Sequence, residues 1–482
     1  MLEARNRADR GPASATALSM TSSPAAATVG EAAGAGEHRA PGLAVVPAPR
    51  TRSAVAEVPA TRSDPVARLM SVDVGHDPFP FLEELRRRGR VVRGRSAVVS
   101  AHYDVCAQVL SDPASFSSRR STHRASGGVR SGVSAAARPA EFAHQGVDVL
   151  NGIDIPFAGA LIATDPPEHT RLRALVARAF RAEAVAELRT DIEGLANGLL
   201  DGLTGRAAVD LVGDYAKPLG LMIIGDVLGV PSADWPQVRS WADDLFAANE
   251  ATTAPQRREA LHSQHALRRY LDDLLSDRAQ APGTALIDSM LGPIADSEAM
   301  SLREAGSTAL LVLQAGYETA ATVIGNAIHA LGRHPGQVEI LLARPELWQN
   351  AVEEVMRWNP AVLLATRVAR ADTTLAGHTV AAGGQVVLAL AGANRDPEVF
   401  DAPDIFDVER ENAAAHLGMG AGSHACLAGG LARLETEVAV QRLFERFPNL
   451  RFASPPVRTS GGALRGFVNL PIRLGRPARR LE

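Results

Sequence analysis

Residues 418–430 read Gly418-Met419-Gly420-Ala421-Gly422-Ser423-His424-Ala425-Cys426-Leu427-Ala428-Gly429-Gly430. A single cysteine is held among glycines, immediately ahead of a run from Leu427 to about Phe447 with helical apolar spacing. A helix N-terminus stabilises negative charge, so a thiol there is expected to ionise below its free pKa of ~8.5. His424 is expected to add positive charge beside it. A thiolate so placed is either a nucleophile or a metal ligand. A lone cysteine is otherwise more often a small buried hydrophobe, which is the reading for Cys106. A dinucleotide-binding loop is a poor match. G-x-G-x-x-G started at Gly418 ends on Ser423, started at Gly420 it ends on Ala425, and no strong parallel strand precedes it.

The rest of the composition narrows the function by exclusion. The chain has 482 residues, 54 acidic against 50 basic ones, a net charge of −4 and 46% hydrophobic residues. That balance excludes disorder throughout and gives no reason to expect nucleic acid or an acidic membrane surface as a partner. Lys217 is the sole lysine, and it sits in YAKPLG rather than after a P-loop glycine, so Walker-type nucleotide binding is excluded. Cys106 and Cys426 lie too far apart for a CxxC pair, and neither HExxH nor GxSxG occurs. A reducing, cytoplasmic setting fits this cysteine usage.

Residues 1–66 are rich in Ala, Arg, Pro, Ser and Gly without apolar periodicity, and read as a disordered extension or as the product of an upstream start codon. They lack the apolar core of a secretory signal, and their acidic residues argue against a transit peptide. No run downstream reaches the ~18 apolar residues of a membrane span. From Asp77 the pattern is mainly helical. FLEELRRRG is a short amphipathic helix stopped by Gly89, RVVRGRSAVVS alternates like a hairpin, and 115–160 reads as a long loop. Helical stretches from Asp165 to about Ala279 are expected to break at Pro231, Pro255 and Pro282. Ser301-Leu-Arg-Glu304 is a capping box opening a helix that runs to about Gly332. Length alone suggests three domains, but helices wrapped around minor sheets predict one unit over 67–482.

The cysteine loop resembles the haem-binding loop of the cytochromes P450, Phe-Gly-x-Gly-x-His/Arg-x-Cys-x-Gly. Met419 stands for Phe and Ala428 for the last Gly, and the likeness continues through Leu431-Ala432-Arg433-Leu434-Glu435. The resemblance implies that Cys426 is the axial thiolate ligand of haem iron, with Met419 and Gly420 packed beside it. Glu354-Val-Met-Arg357 matches the ExxR motif, whose members share a helix face. Such a pair is by itself a weak signal, but the resemblance buries it with Arg410 to support the haem loop. Ala315-Gly316-Tyr317-Glu318-Thr319 resembles Ala-Gly-x-Asp/Glu-Thr on the family's central helix. There Ala315 and Gly316 would let haem and dioxygen approach the backbone. Thr319 can bond back to the Ala315 carbonyl and open the helix locally, and Glu318 and Thr319 form an acid–alcohol pair suited to moving protons. In Asp165-Pro-Pro-Glu-His169-Thr-Arg-Leu-Arg173 the resemblance assigns His169 and Arg173 to the haem propionates, with Arg367 and His424. Tyr317 stands where His is common in bacterial relatives.

The likeness spans about Asp77 to Leu474. It implies a mainly α (α+β) fold of the soluble bacterial type, a single large helical domain with small β-sheets around a buried haem b. The activity implied is a monooxygenase that activates O2 to hydroxylate, epoxidise or oxidatively couple an apolar small molecule in natural-product biosynthesis. Electrons would come from NAD(P)H through a ferredoxin and ferredoxin reductase. The substrate would be free or carrier-protein-bound, the chain a monomer, and neither nucleic acid nor membrane a partner. The pocket walls implied are 115–160, 180–260, Leu311–Ala315, Ala361–Thr366 and Gly461–Phe467. Arg119, Arg120, Arg124 and Arg130 read as decoration of the long loop rather than as an anion site. Two other classes share the motifs: a peroxide-driven peroxygenase, which the Glu318–Thr319 pair disfavours, and a catalytically silent haem- or partner-binding relative, which the presence of Cys426 and ExxR disfavours.

Overall fold

Ser301 starts the longest helix among the described residues, Leu302–Arg333. Its hydroxyl accepts from the Glu304 amide while the Glu304 carboxylate accepts from the Ser301 amide at 2.9 Å, which satisfies two of the free donors at the helix start. At ~1.5 Å per residue these 32 residues span about 48 Å, and the chain leaves through His334 into a helix with Pro335 in its first turn. A computed structural model describes residues 64–69, 77–119, 161–247, 253–280, 286–291, 299–459 and 463–478. Expectations for 1–63 and 120–160, including Arg120, Arg124 and Arg130, and the break expected at Pro282 fall outside these. The body runs Asp64–Glu482, so Asp64–Val66, assigned above to the extension, belong to it, and Val66 and Leu69 are buried there.

The long helix is apolar on nearly every face because it is shared by two cores. Ala305 to Tyr317 pack with Leu221 and Ile224 of Lys217–Leu228, Val238 of Trp235–Ala247, and Leu267 and Leu271 of Ala254–Gln280. Ala321 to Leu331 pack with Ile192 and Leu200 of Arg189–Leu203, Trp348 of Trp348–Trp358, and Val438, Leu443 and Phe444 of Gly429–Arg446. Each fully buried side chain of this size stabilises by about 1.5–3 kcal/mol. A five-stranded sheet lies apart from both clusters, in the order Val92–Arg93, Ala97–Ser100, Gln385–Leu388, Ala365–Ala369, Phe116–Ser117. Ala97–Ser100 runs parallel to Gln385–Leu388 and the other pairs are antiparallel.

Several local expectations hold. The helix Phe79–Arg88 ends at Gly89, and Val92–Arg93 pairs with Ala97–Ser100 as a hairpin. Others change. The start of the expected 115–160 loop is an edge strand, Phe116–Ser117. Pro255 does not break a helix but lies in the first turn of Ala254–Gln280, where no amide donor is needed. The helix after the cysteine begins at Gly429 with Ala428 as its cap, not at Leu427. The long helix stays α-helical through Thr319, so the expected local opening is absent. No helix among the described residues is long and apolar enough to cross a membrane.

Candidate active site

Cys426 sits on a turn whose shape only glycine permits. Gly420 and Gly422 both have positive φ, +70° and +67°. A Cβ on Gly422 would also lie 2.4 Å from the Leu110 carbonyl oxygen. The turn is closed by the Cys426 amide, which donates to the Met419 carbonyl at 2.8 Å. The Met419 side chain packs against Val323, Val352, Met356 and Ala361, wedged between the long helix and Trp348–Trp358.

The loop is gripped from below by two adjacent glutamates. Glu354 and Arg357 are fully buried and joined at 2.6 and 2.8 Å, and Arg410 Nε reaches Glu354 at 3.2 Å. Arg357 also donates to the carbonyls of Asn394, Pro403 and Ile405. The side chain of Asn394 then accepts from the Leu417 amide at 2.7 Å, which carries the triad's rigidity into the cysteine loop. Glu353, which sequence reasoning passed over, holds both flanks of that loop. It pairs with Arg433 at 2.5 Å and accepts from His416 Nε2 at 3.0 Å, while His416 Nδ1 accepts from the Gly418 amide. Burial alone would raise the Glu353 carboxyl, but the bonds from His416 and Arg433 outweigh it and pull the pKa down to about 2.

Above the loop four basic side chains converge. The rings of His169 and His424 lie 4.0 Å apart, and the Nε2 atom of each is buried without a hydrogen-bond partner among the described residues. Arg173 donates to the Ala425 carbonyl at 2.9 Å, tying the helix Glu168–Ala177 to the cysteine loop. Burial lowers the basicity of Arg173 and of Arg367, and Asp165 offsets this in part for Arg367. Burial and the neighbouring His169 drive His424 down to about 3. Asp165 is the anchor of this corner. It accepts from Ser117 Oγ at 2.5 Å and the Ser118 amide at 2.9 Å, and pairs with Arg370 at 2.8 Å. Arg119 is likewise engaged by Glu168 at 2.5 Å.

Cys426 itself corrects the first expectation. Burial raises its thiol above the ordinary value, and the Ala428 amide, Arg433 and Arg173 only partly offset that. A helix starting at Gly429 is too far along to hold a thiolate unaided, and a bound metal cation would ionise the thiol outright. Cys426 lies deep in the fold and yet exposes surface, so it faces a recess rather than close-packed side chains. Two orphaned imidazole nitrogens and two desolvated guanidiniums beside that recess call for an anionic ligand. The donor set therefore fits haem b, with Cys426 to hold the iron and His169, Arg173, Arg367 and His424 to hold two carboxylates.

The long helix presents the acid–alcohol pair. The Thr319 hydroxyl donates to the Ala315 carbonyl, as expected. Gly316 has a different reason from the one expected. A Cβ there would lie 2.5 Å from Ile224 Cγ1, so the missing side chain admits the helix Lys217–Leu228 rather than a ligand. Tyr317 is fully buried, and its hydroxyl donates to Asp243 at 2.7 Å. Glu318 lies 3.5 Å from Lys217 Nζ. Of the expected pocket wall, Leu363 and Leu364 are core residues packed with Leu82 and Val99, while Ala361 joins Met419.

Residues 341–456 match the family model described as Cytochrome P450, a span holding Glu354, Arg357, Arg410 and Cys426. The putative cytochrome P450 140 of Mycobacterium tuberculosis is 35% identical over 433 residues, 88% of this chain and 95% of that protein. The mycinamicin IV hydroxylase/epoxidase of Micromonospora griseorubida is 37% identical over 321 residues, 65% of this chain and 79% of that one. The structure of P450BioI in complex with a hexadec-9Z-enoic acid ligated acyl carrier protein superposes with a TM-score of 0.72 at 27% identity, covering 83% of this chain and 99% of that one. With 35% of the aligned residues identical along nearly the full length of such a relative, the chain belongs to the cytochrome P450 family and is a haem-dependent monooxygenase.

Proposed function

We propose that the enzyme inserts oxygen into a largely apolar small molecule of natural-product type, by hydroxylation or epoxidation, with electrons delivered by a separate ferredoxin and its reductase. The observation that carries this reading is the neighbouring Glu318 and Thr319 on the long helix, with the Thr319 hydroxyl already bonded to the Ala315 carbonyl. When bound, haem supplies the iron centre at which dioxygen is activated. The protein's own work is then to hold, orient and supply protons. Cys426 is the iron ligand, His169, Arg173, Arg367 and His424 fix the propionates, and the Glu354–Arg357–Arg410 triad keeps the cysteine loop in place. Thr319 holds a proton at its hydroxyl and Glu318 replenishes it from solvent. Substrate chemistry draws support from the relative named as a mycinamicin IV hydroxylase/epoxidase. The carrier-protein complex of P450BioI makes a carrier-tethered substrate the second form to test.

The test begins with the reduced protein under carbon monoxide, where a strongly red-shifted Soret band is expected and Cys426→Ser should abolish it. With a surrogate ferredoxin and reductase, Thr319→Ala should then divert electrons to hydrogen peroxide several-fold more than the parent enzyme. Coupling unchanged in that variant would overturn the roles given to Thr319 and Glu318 and favour a peroxide-driven enzyme.

A further inference from the structure

A cavity of about 550 Å³ lies where the start of the helix Phe79–Arg88 meets the end of Trp358 and Asn359, and none of the residues assigned above to haem, to the triad or to the proton pair lines it. Its wall is rich in donors and short of acceptors. Asn359 is 2% exposed, and its Oδ1 accepts from Arg465 Nη1, which fixes the amide so that Nδ2 is the free end. That Nδ2 is buried with no hydrogen-bond partner among the described residues, and so is Arg458 Nη1. The Arg458 guanidinium lies 4.3 Å from the centre of the Phe467 ring, a neighbour that offers it no acceptor. Burial, partly offset by Asp77, brings Arg458 down to about 10, while burial and then the like charge of Arg458 bring Arg465 down to about 9. Guanidiniums do not shed their protons. Two of them side by side and out of water favour an anion at that spot.

We propose that this cavity binds an aromatic monocarboxylic acid, its carboxylate held by Arg458 and the Asn359 amide and its ring set against Phe79, Pro80 and Trp358. The charge count selects the head group. Arg86, Arg395, Arg458 and Arg465 face Asp77, Glu83 and Asp404 across the wall, a surplus of one positive charge. One carboxylate balances that surplus, whereas a phosphate dianion exceeds it and is repelled by three acids. Two of the arginines are already engaged. Arg395 pairs with Asp404 at 3.0 Å and donates twice to the Trp358 carbonyl, and Arg86 donates to the Gly392 carbonyl at 2.7 Å. The volume falls in the range of small-molecule pockets and far exceeds a bare carboxylate, so the ligand has a body as well as a head. The walls that would receive it are fixed beforehand. The Arg395 guanidinium stands 3.3 Å from the centre of the Phe79 ring and 4.8 Å from that of Trp358. Asn326 of the long helix donates to the carbonyls of both Asn359 and Arg465, at 3.1 and 2.9 Å. A site built in advance spends little of its binding energy on ordering.

Equilibrium dialysis of the holoenzyme against 2-naphthoate tests the assignment, with 2-naphthamide and inorganic phosphate as the contrasting probes. The acid should bind saturably, the amide at least tenfold more weakly, and phosphate should not displace the acid. Arg458→Gln should weaken the acid at least tenfold with the carbon monoxide spectrum intact. Glu83→Gln, at an exposed position, should tighten it several-fold by enlarging the positive surplus, and serves alone should the Arg458 variant lose that spectrum. Absence of binding, or amide and acid bound alike, overturns the site. So does binding that both variants leave unchanged, and a Soret shift accompanying it would place the acid in the haem recess instead. Displacement by phosphate at equal concentration overturns the monocarboxylate assignment in favour of a phosphate site.

Discussion

Exchanging Glu354 for glutamine alters one atom of a fully buried side chain, leaving volume unchanged and removing charge. Oε1 accepts from Arg357 Nη2 at 2.8 Å, the Asp407 amide at 2.9 Å and Arg410 Nε at 3.3 Å, and Oε2 accepts from Arg357 Nε at 2.6 Å. The best amide orientation keeps oxygen at the first position and turns the NH2 group onto the Arg357 Nε–H, donor against donor. Neither arginine can shed its proton. Arg357 has no exposed surface and the Arg410 side chain is 9% exposed, so solvent screens little. Removing one partner of a buried pair costs about 3–5 kcal/mol. The three carbonyls that still hold Arg357 place Glu354→Gln near the lower figure. In a fold stable by on the order of 5–15 kcal/mol, ~3 kcal/mol is about a 150-fold change in the folding equilibrium. Urea unfolding followed by tryptophan fluorescence should show that loss with an unchanged denaturant slope. Because Asn394 links the triad to Leu417, haem transfer to apomyoglobin should also accelerate. A loss below 1 kcal/mol would refute the charge argument.

Three further outcomes are expected. Gly316→Ala should destabilise by about 1–3 kcal/mol despite alanine's better helix propensity, because its methyl group meets Ile224. Ile224→Ala in the same chain should recover part of that loss, and a stabilising Gly316→Ala would refute the packing argument. Burial, with Arg458 and Arg333 nearby, holds His329 near a pKa of about 3, so the unfolded chain takes up its proton below ~6.5 while the folded one refuses it. Stability should therefore fall as pH drops from 6.5 toward 3, by at most ~1.4 kcal/mol per unit from this group, and His329→Phe should flatten the slope in urea titrations at pH 4 to 7. Glu353 works through a different window. Its depressed pKa contributes stability that is present above the unfolded value of ~4.3 and lost as pH falls toward about 2. Glu353→Gln should remove that acid dependence and quicken haem loss, as stopped-flow transfer would show.

What could be read from the sequence was whatever chemistry is local. The Ser301 capping box spans four residues and the Glu354–Arg357 pair one helical turn. The cysteine loop carries its glycines within a few positions of the thiol, so spacing alone exposed them. Contacts between distant segments left no such trace. Nothing near Gly316 announces Ile224, and nothing near Glu353 announces His416 and Arg433. The Cys426 thiol went astray for the same reason: a helix dipole can be inferred from neighbours in sequence, whereas burial depends on the whole fold. Lys217 was visible as a compositional oddity, but its ion pairs with Asp243 and Glu318 join segments far apart in the sequence.

The division of the long helix between two cores has a mechanical consequence. One cluster claims the helix up to Tyr317 and the other takes it up again at Ala321, so Glu318 and Thr319 fall on the seam between them. The helix Ala254–Gln280 belongs to the first block and the helix following Cys426 to the second, while Lys217–Leu228 is shared, with Leu221 and Ile224 in the first and Leu219 and Ile223 in the second. A displacement of the helix Ala254–Gln280 would therefore act on one half of the rod, while the other half stays anchored through the helix that follows the thiol. Any such load would bend the rod at the joint where the proton-handling side chains stand.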